Sequence, residues 1–132
     1  MALDVLLIGL GKIGYVYDSN GIDDKHIFTH AKSIFKDSRF NLKAVVEIDE
    51  VQATSFSEET SVRCFATIEE ARVFHIRYDV VIVATPTDTH LKIVELITKD
   101  QITRCILLEK PIAYCLNEAE KIVKLCKQND IA

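Results

Sequence analysis

Hydrophobic and polar positions divide this chain into continuous apolar runs that alternate with amphipathic segments. The apolar runs cover residues 4–8, 42–46, 78–84 and 104–108, with a weaker run at 62–65. They lack the two-residue alternation of a half-exposed strand, which is typical of strands buried on both faces of a parallel sheet. The runs therefore predict the central strands of an α/β domain.

The segments between the runs carry helical signals. Residues 90–99 place Leu91, Val94 and Ile97 at three-residue spacing, and residues 116–127 carry a continuous apolar stripe. Thr67 opens a capping box at a short helix, and residues 29–36 form another short helical segment. Strands alternating with helices predict right-handed crossovers, and hence a parallel sheet with helices on both faces. Ligands of such sheets bind at the carboxyl ends of the strands.

A glycine motif follows the first predicted strand. Residues 9–14 read Gly-Leu-Gly-Lys-Ile-Gly, which places G-x-G-x-x-G between a buried strand and a helical segment. Gly9 allows the tight turn, Gly11 lets a pyrophosphate approach the backbone, and Gly14 lets helix and strand pack closely. The alternative is a glycine-rich turn with a structural role only.

An acidic cluster follows the second predicted strand. Glu47 ends that strand, where a carboxylate accepts hydrogen bonds from the adenosine ribose of a dinucleotide. Asp49 and Glu50 follow, and no Lys or Arg lies between residues 44 and 62. This pattern favours NAD over NADP, the alternative being a solvated acidic loop. Glu47 lies 33 residues after Gly14, against about 20 in the simple fingerprint, which predicts an insertion between them.

Two further groups of candidate residues end the third and fourth major strands. Thr85, Pro86 and His90 follow one strand, and His90 is either a cofactor or substrate contact or a locally packed helix-start histidine. Glu109 and Lys110, ahead of a proline, follow the other. A lysine ammonium there could bind a substrate hydroxyl and stabilise the developing alkoxide. The alternative is a solvated lysine.

Composition narrows the class of protein. The 132 residues suffice for one domain, and the formal net charge of −4 argues against nucleic-acid or anionic-membrane partners. The apolar runs are too short to span a bilayer. The four cysteines show no metal-ligand spacing, so we expect no metal site and reduced thiols in a cytoplasmic protein.

The chain resembles the Gfo/Idh/MocA oxidoreductase family along nearly its whole length. The resemblance rests on three motifs in order and on the helix after them: Gly-Leu-Gly-Lys-Ile-Gly, Ala-Thr-Pro-x-x-x-His and Glu-Lys-Pro. The resemblance implies a Rossmann-type doubly wound sheet of about five strands in the order 3-2-1-4-5, forming one three-layer domain over residues 1–132. It implies hydride transfer between NAD(P) and a hydroxyl or keto carbon of a sugar, cyclitol or nucleotide-sugar in carbohydrate metabolism. The implied catalytic residue is Lys110. The implied cofactor contacts are Gly9, Gly11, Lys12, Ile13, Gly14, Glu47, Thr85, Pro86, His90 and Glu109.

The chain departs from the family pattern at two points. The histidine expected soon after the third glycine corresponds to His30, so residues 15–29 are an insertion, which acts either as a flap over the site or as a mobile loop. The family's substrate domain, which supplies the catalytic histidine and subunit contacts, would follow residue 132. We therefore expect a cofactor domain that is inactive alone and contributes to a possible homo-oligomer. The competing hypothesis is a non-catalytic module that senses the dinucleotide.

Overall fold

A computed structural model describes residues 1–19 and 25–132 as a parallel α/β sheet. Its strands are β1 Leu3–Ile8, β2 Phe40–Val46, β3 Arg63–Phe65, β4 Val80–Val83 and β5 Ile106–Leu108. They pair in the order β3-β2-β1-β4-β5, and every pairing is parallel. The predicted fold class and strand order are confirmed. The strand order reverses between β1 and β4, which places the crevice for a ligand directly above these two strands.

Within residues 1–19 and 25–132, five α-helices connect and flank the strands: α1 His30–Lys36, α2 Glu50–Thr60, α3 Ile68–Phe74, α4 His90–Lys99 and α5 Leu116–Gln128. Short 3-10 turns lie at Val16–Asp18 and Thr87–Thr89. The helices predicted at 29–36, 90–99 and 116–127 are confirmed within about one residue. No helix in the described ranges is long and apolar enough to cross a membrane.

Alternate side chains of the strands supply two cores, one on each face of the sheet. Val5 and Leu7 of β1 point into a core shared with α1 and α2, where Phe56 is fully buried. Leu6 and Ile8 point to the other face, into a core shared with α3 and α4. Helix α5 packs on α4. Burial on both faces explains why β1, β2 and β4 read as apolar runs. The run at 104–108 instead forms the edge strand β5, in which Leu107 is exposed, so it is not a central strand.

Helix α2 was not predicted from the sequence. Phe56 is its only fully buried residue, so the segment has no continuous apolar stripe. Its start is instead fixed by Asp49, whose side chain accepts hydrogen bonds from the N–H groups of Val51 and Gln52. Ser61 ends it with a left-handed backbone. Asp49 and Glu50, for which a solvated acidic loop was the alternative interpretation, therefore form the N-terminus of a helix.

The segment after the glycine motif also differs from the expectation of a helix. Residues 12–18 form turns and one 3-10 helix, and the regular helix α1 starts only at His30. The carbonyl oxygens of Ile13 and Gly14 nevertheless accept hydrogen bonds from the N–H groups of His30 and Ala31, at 3.0 Å each. These are the bonds that residues 17 and 18 would make in an uninterrupted α-helix. Helix α1 therefore continues the turn after Gly14, and the insertion comprises residues 17–29 rather than the 15–29 expected from the sequence.

Helix starts elsewhere follow their sequence signals. The Thr67 hydroxyl caps α3 by accepting from the N–H of Glu70, as the capping box predicted. Cys115 precedes α5 without a side-chain cap, which agrees with the weak acceptor strength of a thiol. All four cysteines are free, and Cys115 is exposed.

Candidate functional site

The glycine loop is held tightly on one side and open on the other. Gly9 has φ +96°, and a Cβ there would lie 2.7 Å from the carbonyl oxygen of Ala84. A Cβ on Gly14 would lie 2.2 Å from the carbonyl oxygen of Gly9. A Cβ on Gly11 would meet no atom within 4 Å. The first and third glycines are thus required by packing, whereas the second faces open space.

The open side of the loop presents unpaired donors. In the described part of the chain, the N–H groups of Gly11, Lys12 and Ile13 have no hydrogen-bond acceptor. Lys12 and Ile13 are themselves exposed. Adjacent free N–H groups at the start of a helical segment bind phosphate oxygens, and open space above Gly11 accommodates them. The loop therefore fits the pyrophosphate of a dinucleotide.

Glu47 fixes the loop from the end of β2. Its Oε2 accepts from the N–H of Leu10 at 2.7 Å, and its Oε1 accepts from the N–H of Asp49 at 2.9 Å. Gln52 of α2 donates from Nε2 to the carbonyl oxygen of Leu10 at 2.6 Å. Both backbone groups of Leu10 are thus held by side chains. Sequence reasoning missed Gln52 because helix α2 itself was not predicted.

The three acids after β2 do not act together. Asp49 directs its carboxylate to the first N–H groups of α2, and Glu50 lies in the first turn of that helix. Only Glu47 contacts the glycine loop. Each carboxylate oxygen of Glu47 accepts one protein hydrogen bond, and a carboxylate oxygen can accept two. Glu47 therefore keeps acceptor capacity for a ligand hydroxyl.

The turn after β4 packs against the glycine loop. A Cβ on Gly9 would lie 3.0 Å from Cγ2 of Thr85, and the Thr85 and Thr89 hydroxyls lie 2.7 Å apart. Pro86 is exposed, and its carbonyl oxygen accepts from Thr89. Thr85 thus borders the loop, with Pro86 next to it in the same turn. Contact of these two residues with a cofactor stays a prediction.

His90 supports the local-packing alternative. Its side chain is fully buried, with Nε2 3.0 Å from the carbonyl oxygen of Thr85 and Nδ1 3.1 Å from that of Ile112. Both ring nitrogens therefore face protein atoms, which corrects the reading of His90 as a direct ligand contact. It ties the turn after β4 to the turn after β5.

The turn after β5 carries Glu109 and Lys110, joined to Pro111 by a cis peptide bond. Glu109 Oε1 lies 2.7 Å from Nε2 of His30, and Glu109 Oε2 accepts from the N–H of Lys110 at 3.2 Å. The Lys110 side chain is exposed, and its ammonium has no ion-pair partner in the described ranges. The structure therefore brings the first residue of α1, directly after the insertion, to the Glu-Lys-Pro turn, a contact that the sequence did not predict.

The two ends of the insertion are pinned together by Asp18. Its Oδ2 accepts from the Thr29 hydroxyl at 2.7 Å and from the N–H of Phe28 at 3.0 Å. Burial opposes ionisation of Asp18, but these hydrogen bonds, with the Lys32 ammonium 3.5 Å away, lower its pKa. Residues 20–24 lie outside the described residues, and with them the part of the insertion on which the flap and mobile-loop hypotheses differ.

Comparisons with solved structures show the same fold. The WlbA dehydrogenase from Chromobacterium violaceum, in complex with NADH and UDP-GlcNAcA, has a TM-score of 0.78 at 21% identity, covering 98% of this chain and 33% of that one. GenD2 from gentamicin A biosynthesis, in complex with NAD, has a TM-score of 0.76 at 25% identity, covering 99% and 33%. The myo-inositol 2-dehydrogenase from Lactobacillus plantarum has a TM-score of 0.70 at 17% identity, covering 98% and 34%. The chain thus spans about a third of the length of these structures.

A search of curated proteins gave no match. The family described as an oxidoreductase family with an NAD-binding Rossmann fold, GFO_IDH_MocA, matches residues 3–132. This match covers nearly the whole chain. The chain therefore belongs to the Gfo/Idh/MocA oxidoreductase family and forms its NAD-binding Rossmann fold.

Proposed function

We propose that this chain binds NAD, in preference to NADP, as the cofactor domain of a dehydrogenase that acts on a sugar, cyclitol or nucleotide-sugar. The observation that carries the proposal is the open face of Gly11, with unpaired N–H groups on one side and the fixed carboxylate of Glu47 on the other. The preference for NAD rests on Glu47, whose charge would repel a ribose 2′-phosphate. The substrate class follows from the family and from the UDP-sugar and inositol named for its structural relatives.

The residues of the chain divide the work by position. The N–H groups of residues 11–13 bind the pyrophosphate, and Glu47 accepts hydrogen bonds from the adenosine ribose. The turns after β4 and β5 lie on the other side of β1, so they border the nicotinamide half. NAD supplies the hydride acceptor when it is bound. Lys110 would donate a hydrogen bond to the substrate oxygen and stabilise its negative charge as the hydride leaves.

The first experiment measures cofactor binding by the chain itself. Titration calorimetry with NADH and NADPH should show binding of NADH at least about tenfold tighter, because a like charge beside a buried phosphate costs over 1 kcal/mol. Absence of NADH binding would overturn the proposal. Equal affinities would overturn the preference for NAD while leaving the dinucleotide site in place.

The second experiment separates an enzyme from a dinucleotide sensor. In the complete protein, Lys110→Ala should lower turnover by about a hundredfold or more while NADH affinity changes little, because the lost interaction forms in the transition state. Lys99→Ala, at the far end of α4, is the matched control. Turnover unaffected by Lys110→Ala would remove this residue from the mechanism. NADH binding without turnover of any polyol would favour the sensor.

A further inference from the structure

His30 and Glu109 form a contact between two elements that are far apart in sequence. His30 Nε2 and Glu109 Oε1 lie 2.7 Å apart, and their side chains are 18% and 20% exposed. An ionised carboxylate only accepts, so the ring N–H is the donor. A hydrogen bond to an ionised group in such a partly buried position is shorter and stronger than a neutral one.

Each partner of this contact is itself held by the backbone of the site. The N–H of His30 donates to the carbonyl oxygen of Ile13 in the glycine loop. The N–H of Glu109 donates to the carbonyl oxygen of Val83, and this hydrogen bond fixes the position of Glu109 beside the end of β4. The other carboxylate oxygen of Glu109 accepts from the N–H of Lys110. A continuous hydrogen-bonded path therefore joins the glycine loop to the backbone of Lys110.

The path crosses the crevice where the strand order reverses. Ile13 belongs to the loop above β1, and Lys110 follows β5, on the side of β1 opposite to Glu47. A dinucleotide bound across this crevice has its adenosine ribose at Glu47 and its other half toward β4 and β5. The side-chain contact between His30 and Glu109 thus lies on the nicotinamide side of the crevice.

We infer that His30 is a positioning residue, which holds Glu109 and through it the Lys110 turn in the orientation that receives the nicotinamide. The inference rests on the proposed function as an NAD site. This role of His30 also gives a function to the hydrogen bonds that join the two sides of the insertion. Because Ile13 and Gly14 accept from His30 and Ala31, the insertion leaves the His30 ring facing Glu109.

The test compares two ligands that differ only in the nicotinamide. NADH and ADP-ribose share the adenosine, pyrophosphate and second ribose, so a general disturbance of the fold weakens both. In titration calorimetry on the present chain, His30→Leu should weaken NADH binding by about tenfold and leave ADP-ribose affinity within about twofold. His30→Gln, whose amide N–H can replace the ring N–H, should restore most of the NADH affinity.

A matched control lies near the amino end of the central strand β1. His75 Nε2 lies 3.3 Å from Oδ2 of Asp4, and both side chains are similarly exposed. His75→Leu therefore removes a histidine–carboxylate contact far from the carboxyl ends of the strands. Its NADH and ADP-ribose affinities should both equal those of the unsubstituted chain.

A double-mutant cycle tests the coupling from the other partner. If His30 acts through Glu109, the loss of NADH affinity in His30→Leu/Glu109→Leu should not exceed that in Glu109→Leu alone. Additive losses, equal losses for NADH and ADP-ribose, or no rescue by His30→Gln would each overturn the inference while NADH still bound the unsubstituted chain. No binding of either ligand to the unsubstituted chain would instead overturn the proposed function, and the inference with it.

Discussion

Substitution of the third glycine by alanine should lower the thermal stability of the chain, whereas substitution of the second should leave it nearly unchanged. In Gly14→Ala the new Cβ would lie 2.2 Å from the carbonyl oxygen of Gly9, and ordinary contact requires 3.4 Å or more. The two groups must therefore separate by about 1.2 Å. Both belong to backbone, so no flexible side chain can yield instead.

The cost follows from the size of that displacement. Forcing an extra methyl into a packed position costs about 1–3 kcal/mol, and the rigid neighbours of Gly14 place it at the upper end. For a domain of this length, each kcal/mol lowers Tm by about 3–5 °C, so Gly14→Ala should lower Tm by about 10 °C. In Gly11→Ala the Cβ meets nothing within 4 Å and the backbone is not left-handed, so Tm should stay within about 3 °C.

Thermal unfolding by circular dichroism and NADH titration together form the assay. Gly11→Ala should fold normally but bind NADH at least about tenfold more weakly, because its Cβ takes the space left for the pyrophosphate. The reasoning would be refuted by a Tm for Gly14→Ala within about 2 °C of the unsubstituted chain. Normal NADH affinity in Gly11→Ala would refute the assignment of the open face to phosphate.

Two further predictions concern acidic residues. Glu47→Gln removes the charge but keeps an oxygen that can accept from the N–H of Leu10, so the ratio of NADH to NADPH affinity should fall by about tenfold. Glu50→Gln, on the first turn of α2, should leave the ratio unchanged, and calorimetry with both ligands checks both expectations. Asp18 has a pKa lowered from its ordinary 3.8, so its contacts stabilise the fold above about pH 4, and this stability is lost as the pH falls through the folded pKa. Asp18→Asn should therefore lower Tm at pH 7, with the difference shrinking below pH 4; a constant difference across that range would show that ionisation of Asp18 is not involved.

The central strands were recognisable in the sequence because burial on both faces leaves a simple signal, and their order came from the resemblance to the Gfo/Idh/MocA family. An unbroken run such as residues 4–8 needs no tertiary information to be recognised as a central strand. Helix α2 could not be found in this way, because it buries Phe56 alone and depends on the Asp49 cap. The helix is therefore specified by its N-terminal cap and by packing beside β3, and neither leaves a periodic apolar pattern in the sequence.

The candidate site was predictable residue by residue but not in its connections. The glycine positions and Glu47 follow from a local motif, whereas the contact between His30 and Glu109 joins residues 79 apart in sequence. His90 shows the reverse error. Its place near the end of β4 is correct, but burial turns both ring nitrogens toward carbonyl oxygens rather than toward the crevice. Spacing identifies which residues reach an edge of the sheet, and only packing decides their direction.

The carbonyl oxygens of Ile13 and Gly14 accept from the N–H groups of His30 and Ala31. Because of these hydrogen bonds, the geometry of the site does not depend on the length of the segment between them. Without residues 17–29, which number 13, the distance from Gly14 to Glu47 falls from 33 to 20 residues, the ordinary spacing of the fingerprint. The chain can thus be lengthened at this point without moving Glu47 or His30 relative to the glycine loop. Sequences of this family should accordingly be aligned here by the hydrogen-bond partners of the residues on either side of the insertion. Counting residues from the third glycine would instead align Tyr17 with the position that His30 occupies in the structure.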